Sequence, residues 1–231
     1  MVYNIGDKVN YKGHMGIIVD ISKSHDVSYL VSFFETVEDS SVAQAEDGII
    51  WNETLSLKGE DLNPMICGNE LYFAKVKDGA TIPSKREEDG GYDVYACFEE
   101  DYIVIQSHET KLIPTGLASA VSSDYVILLR ERGSNGSKGI AQRCGVIDSG
   151  YRNEWFVPLT NTTTKTVTIS KLPKEELPLM LQEGIVYPYT KGIAQALIVP
   201  VPKMEVHEVD YETLKQFDSE RGMGALGSSG K

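Results

Sequence analysis

The sequence predicts an all-β fold, and three observations predict it. Short segments rich in Val, Ile, Tyr and Phe recur along the 231 residues. Gly, Asn, Asp and Pro punctuate them at regular spacing, as turns between strands require. Only KEELPLMLQEG (174–184) has helical character, and Pro178 interrupts it. Many short, evenly spaced strands suit a barrel or jelly roll. A hydrophobic content of 41% is enough for a sizeable core in a chain of this length.

The elements read in order as two parts and a tail. Residues 1–62 carry KVNYKG, MGIIVDIS, SYLVSFFE, GIIWN and SLKGEDL, each β-branched, aromatic or alternating. Gly6-Asp-Lys-Val followed by a Gly-rich turn resembles the opening of small Src-homology-3-like or KOW-like β-barrels. The pattern breaks at Asn63-Pro-Met-Ile-Cys-Gly, where a linker is expected. A second β domain is expected over 69–218, with ELYFAKV, YDVYACF, YIVIQS, TKLIPTG, DYVILLRE, WFVPLTN, KTVTISKL and IAQALIVPV as its strands. Within it, residues 162–189 are longer than a hairpin needs, and the sequence assigns them no role. Residues 219–231 are Gly- and Ser-rich and predict a flexible C-terminal lid.

Charge and cysteine usage exclude several classes of function. The net charge is −12, and residues 1–61 hold 4 Lys and no Arg against 11 Asp plus Glu, a net of 4 − 11 = −7. Nucleic-acid phosphates need clustered cations, so no nucleic-acid partner is expected. A protein partner suits the acidic N-terminal module better. No apolar run reaches the roughly 18 residues that span a bilayer, and no signal peptide opens the chain, so a cytoplasmic protein is expected. Cys67, Cys97 and Cys144 are widely spaced and form no CxxC, which points to small buried residues rather than a zinc site.

Five short motifs occur in order: Gly90-Gly-Tyr-Asp93-Val-Tyr-Ala96; Arg130-Glu-Arg132-Gly133-Ser134-Asn-Gly-Ser137; Gly145-Val-Ile147-Asp148-Ser-Gly-Tyr151-Arg152; Gly192-Ile-Ala-Gln195; and Arg221-Gly-Met-Gly-Ala-Leu226-Gly227-Ser228-Ser229-Gly230. Each alone has an ordinary reading as a turn, a hairpin or a frayed terminus. The second is not a Walker A loop, because it lacks G-x-x-x-x-G-K-[ST]. The ordered set over residues 69–231 is what resembles the homotrimeric dUTPase family (deoxyuridine 5′-triphosphate nucleotidohydrolases).

That resemblance implies a jelly-roll dUTPase-like domain that hydrolyses dUTP to dUMP and pyrophosphate, with sites shared between subunits. It implies Asp148 as general base; a carboxylate is ionised at neutral pH and can take a proton from water. Tyr151 would lie under the deoxyribose and crowd a 2′-hydroxyl. Backbone groups of Gly145, Ile147 and their neighbours would read uracil. Arg132, Gly133, Ser134 and Ser137 would bind phosphate through a guanidinium, bare amides and hydroxyls. Gln195 would add an amide donor. Asp93 marks the magnesium region, and Mg2+ is the implied cofactor on the triphosphate. Arg221, Leu226, Gly227, Ser228 and Ser229 would close over the nucleotide.

Departures from the family pattern are specific. Leu226 stands where Phe is usual, which removes aromatic stacking. Ala225 replaces Gly, Asn153 replaces the Gly after Tyr-Arg, and Gly192 takes the place of a common Arg. The second motif reads Arg-Gly-Ser-Asn-Gly-Ser instead of Arg-Ser-Gly. Two alternatives share part of this pattern. A dCTP deaminase shares the fold, but its catalytic Glu would fall at Pro158. A regulatory or binding protein that keeps the scaffold would act through residues 1–62.

Overall fold

A computed structural model of the chain describes residues 2–22, 27–33, 54–66, 68–143, 145–220 and 222–224. The expected strand GIIWN, Cys67, Cys144, Arg221, Leu226, Gly227, Ser228 and Ser229 lie outside the described residues. The chain divides into two units, residues 1–201 and residues 202–231. The class is all-β, with seventeen strands and only short helices among the described residues.

The first unit opens with five strands: β1 (Lys8–Tyr11), β2 (His14–Ser22), β3 (Ser28–Phe33), β4 (Thr54–Lys58) and β5 (Asn63–Pro64). They form one antiparallel sheet in the order β4-β3-β2-β1-β5. Lys12 and Gly13, both at positive φ, close β1 onto β2 as a two-residue hairpin loop. The register of β2 against β3 shifts between Ile18 and Asp20, a bulge that lets Val19 and Asp20 both face solvent. Tyr3, Val9, Ile18, Tyr29, Val31, Phe33 and Leu62 form a core of their own. Tyr3 packs edge-on to Tyr29 at 5.3 Å and donates to the Leu62 carbonyl at 2.7 Å. Asn63 and Pro64, expected in a linker, instead pair with Asn10 and Val9. An edge position tolerates proline because its missing N–H faces outward.

Twelve further strands follow: β6 (Leu71–Lys75), β7 (Tyr92–Val94), β8 (Tyr102–Ile105), β9 (Thr110–Pro114), β10 (Leu117–Val121), β11 (Tyr125–Arg130), β12 (Ile140–Gln142), β13 (Val146–Ile147), β14 (Phe156–Asn161), β15 (Val167–Ser170), β16 (Ile185–Pro188) and β17 (Ala194–Pro200). They pair as β10-β6, β13-β11-β17-β7, β12-β14-β9 and β16-β15-β8. Alternation sends Ile127 and Leu129 of β11 and Val157 and Leu159 of β14 inward, where they meet Ile105, Ile113, Trp155, Val167, Ile169 and Tyr187. Each fully buried Ile or Leu adds roughly 1.5–3 kcal/mol, so this cluster dominates the stability of the domain. Ala194 and Ala196 turn inward on β17, where little room is left.

Residues 162–189 are therefore largely structural. β15 is buried along its whole length, and β16 pairs parallel to it. The crossover between them holds a 3-10 turn (Lys174–Glu176) and the short helix α2 (Leu179–Gln182), separated by Pro178 as the sequence predicts. The helix α1 (Gly133–Gly136) precedes β12, and α3 (Tyr211–Lys215) lies in the second unit, capped by Asp210 accepting from Thr213 N–H. No helix among the described residues is long and apolar enough to cross a membrane.

Candidate functional site

The sheet β13-β11-β17-β7 carries the site. Gln195 on β17 lies directly opposite Asp93 on β7 and Arg130 on β11. Residues opposite one another in an antiparallel pair share a face, so Asp93 and Gln195 project together. The chain leaves β11 at Arg130, and two residues later Arg132 stands in extended conformation just before α1. Its Nε lies 2.9 Å from Asp93 Oδ1, and its guanidinium donates to Oδ2 at 3.1 Å and to the Gly192 carbonyl at 3.0 Å. Gln195 Nε2 donates to the Glu131 carbonyl at 2.9 Å, which fixes the entry to α1.

Asn135 locks this turn from beneath. It is 1% exposed, donates to the Ile193 carbonyl at 2.8 Å, and its Oδ1 lies 2.6 Å from the Tyr187 hydroxyl. The same hydroxyl lies 2.6 Å from the Gly192 carbonyl. An asparagine within a Gly/Ser run is ordinarily a turn residue, and its partners here are more than fifty positions away. That distance hid its role from sequence reasoning. Tyr187 also gives part of residues 162–189 a task, which is to hold the turn at α1.

These residues border a cleft of about 720 Å³. Asp93, Arg132, Gly133, Ser134 and Gln195 line it, joined by Ser84, Lys85, Arg86, Asp89, Gly90, Gly91 and Tyr95. A Cβ at Gly91 would lie 3.1–3.2 Å from Gln195 and Leu197 side-chain atoms, which would have to shift to admit it. Ser137, at the exit of α1, is exposed and is not among the lining residues. Arg86 forms a two-pronged pair with Asp89, both contacts at 2.9 Å. Its hydrogen bond holds the Asp89 carboxyl below the usual range and raises Arg86 in turn.

The third-motif hairpin stands elsewhere in the same chain. Gly145 sits at φ +134, its carbonyl accepts from Leu129 N–H at 2.6 Å, and a Cβ would come within 2.5 Å of the Leu129 carbonyl. Only glycine fits that approach. Ile147 pairs with Ile127, which puts Asp148 level with Val126, four residues along β11 from Arg130. At a strand rise of ~3.4 Å per residue, Asp148 is about 13 Å along the sheet from the level of Gln195. Its carboxylate is exposed and makes no hydrogen bond with the described residues. Tyr151 N–H donates to the Asp148 carbonyl at 3.0 Å to close the turn, and its hydroxyl donates to the Glu154 carbonyl at 3.0 Å. The chain thus brings the first, second and fourth motifs together, starts the third beside Leu129 at Gly145, and carries Asp148 further along the same sheet. Among the described residues, no three His, Cys, Asp or Glu side chains gather as a metal cluster.

Residues 77–174 match the family model described as dUTPase. The deoxyuridine 5′-triphosphate nucleotidohydrolase of Nautilia profundicola is 32% identical over 166 residues, spanning 70% of this chain and 99% of the relative. That of Paraburkholderia xenovorans is 34% identical over 146 residues, 61% of this chain and 82% of the relative. The chain belongs to the dUTPase family. Its fold is also similar to that of the Staphylococcus bacteriophage 80alpha dUTPase with dUpNHpp, at a TM-score of 0.55 and 24% identity, covering 71% of this chain and all of that one.

Proposed function

We propose that this chain is a dUTP pyrophosphatase in which Asp148 serves as general base. The observation that carries the reading is the division of labour just described: an anion-suited cleft built on Asp93, Arg132, α1 and Gln195, and an exposed, unpartnered carboxylate on a separate glycine-fixed hairpin. Water held by Asp148 attacks the α-phosphorus, its proton passes to the carboxylate, and the bond from that phosphorus to the bridging oxygen breaks to release pyrophosphate. Gly133 and Ser134 amides, the Arg132 guanidinium and the Gln195 amide hold the phosphates in line, since such reactions depend on positioning and charge. Ser137 joins them through its hydroxyl. Gly145 and Ile147 present backbone groups to uracil, and Tyr151 excludes a 2′-hydroxyl. Arg221, Leu226, Gly227, Ser228 and Ser229 close over the nucleotide.

Both Asp93 oxygens are engaged by Arg132. A Mg2+ ion would therefore be held by the triphosphate, where it would supply charge neutralisation, and not directly by this carboxylate. Asp93 is within the same cleft and suits contact through water.

The separation of Asp148 from the cleft supports a homotrimer in which neighbouring subunits complete one another's sites. Two exposed apolar surfaces support it further. Leu112 and Phe156, 61% and 41% exposed, stand on one outer sheet face with Pro158 and Pro114 opposite them. The second unit exposes Met204, Val206, Tyr211, Leu214 and Phe217. Residues 1–62, with a core of their own and a net negative charge, form an accessory module for a protein partner.

The test is pyrophosphate release from dUTP, dCTP, dTTP and UTP, with magnesium and with EDTA. Release from dUTP alone, suppressed by EDTA, is the expected outcome. No release from any of the four would leave a scaffold kept for binding, and the search would move to the partner of residues 1–62.

A further inference from the structure

The cleft has a second wall that the five motifs do not include. Ser84, Lys85, Arg86 and Asp89 border it together with Arg132, Gly133 and Ser134. Three cations face this space, but two of them are already compensated. Arg132 is paired through two contacts with Asp93, and Arg86 through two with Asp89. Lys85 differs from both. Its ammonium donates to the Arg86 and Glu87 carbonyls at 3.3 and 3.2 Å and lies 5.6 Å from the Tyr92 ring centroid. No carboxylate among the described residues pairs with it.

Resting on the pyrophosphatase reading, we propose that Lys85 binds the pyrophosphate end of the nucleotide and sets the preference for triphosphate over monophosphate. Carbonyl oxygens and a ring face orient the ammonium, and the Asp89 carboxylate acts on it only at a distance, without a direct ion pair, which leaves most of its charge for an anion. A point charge on a flexible stem suits distal phosphates, whose position changes as the bond breaks. Asp89 then acts as a restraint, holding Arg86 as an ion pair and keeping a second free cation out of the cleft. Carboxylate at 89 therefore opposes phosphate binding, and lysine at 85 favours it. The two positions should move affinity in opposite directions.

The experiment measures binding of the non-hydrolysable imido analogue of dUTP, of dUMP and of inorganic pyrophosphate to the full-length wild type, Lys85→Ala and Asp89→Asn. Lys85→Ala should weaken the analogue and pyrophosphate about tenfold, the loss of one charge-assisted contact, and leave dUMP within about twofold. Asp89→Asn should tighten the analogue, and Lys85→Arg should restore most of the lost affinity. Equal losses for dUMP and the analogue would overturn the assignment to the pyrophosphate end. Unchanged analogue binding in Lys85→Ala would overturn any role for Lys85. A wild type that binds neither nucleotide would instead remove the pyrophosphatase reading, and this inference with it.

Discussion

At the scale of single residues, the chemistry rests on groups whose surroundings differ sharply. Asp148 stands exposed on its hairpin, whereas Asp93 is committed to Arg132 through two contacts. A carboxylate that faces solvent is free to hold a water, and one held on both oxygens by a guanidinium is fixed in place. Asp148→Asn should lower kcat by roughly 10²–10⁴-fold, the usual share of a general base, while the imido analogue still binds. An unchanged kcat would refute the assignment. Sequence reading reached Asp148, Asp93 and Gln195 because each sits inside a motif with fixed neighbours. The close approach of Gly145 to the Leu129 carbonyl is visible only in the fold. Lys85, Arg86 and Asp89 were not reached, because a charged run before a strand ordinarily reads as solvated surface.

At the scale of elements, strands rich in β-branched and aromatic residues were legible, and those built otherwise were not. Leu117–Val121 reads LASAV, with alanine and serine where a strand usually shows bulk, yet it pairs with β6 along all five residues. Ile185–Pro188 was absorbed into a supposed insertion because Gly184 and Pro188 frame it as a loop. Its parallel partner β15 lies fifteen residues or more upstream, a pairing that local pattern cannot show. The consequence is testable at Tyr187. Tyr187→Phe removes one hydroxyl from between the Asn135 and Gly192 acceptors, all in buried surroundings. It should cost about 1–3 kcal/mol of stability, read by thermal denaturation, and raise KM for dUTP by loosening α1. The C-terminal segment should behave in the opposite way. Deleting Ser219–Lys231 should cut activity on the order of 10²-fold, as removal of transition-state contacts does, with stability changed by no more than about 0.5 kcal/mol. A fully active truncation would eliminate the lid.

At the scale of the whole molecule, the site is a problem of assembly. In one chain the cleft lies at one level of the sheet and Asp148, the proposed base, about 13 Å further along, so a site that used both within one chain would have to span that distance. A closed cyclic assembly resolves this, because each cleft then receives a neighbour's hairpin and every site is equivalent. The arrangement predicts complementation between variants that are each inactive. Arg132→Gln spoils the cleft, and Asp148→Asn spoils the hairpin. Suppose the two are co-expressed in equal amounts and mix at random. A site works when its cleft comes from an Asp148→Asn subunit and its hairpin from an Arg132→Gln subunit, so about one quarter of sites should be restored. If cleft and hairpin of one chain served the same site, every site would carry one lesion and the mixture would stay inactive. Measuring dUTP turnover of the co-expressed pair against each variant alone therefore separates a shared site from a self-contained one, without depending on the tail or the N-terminal module.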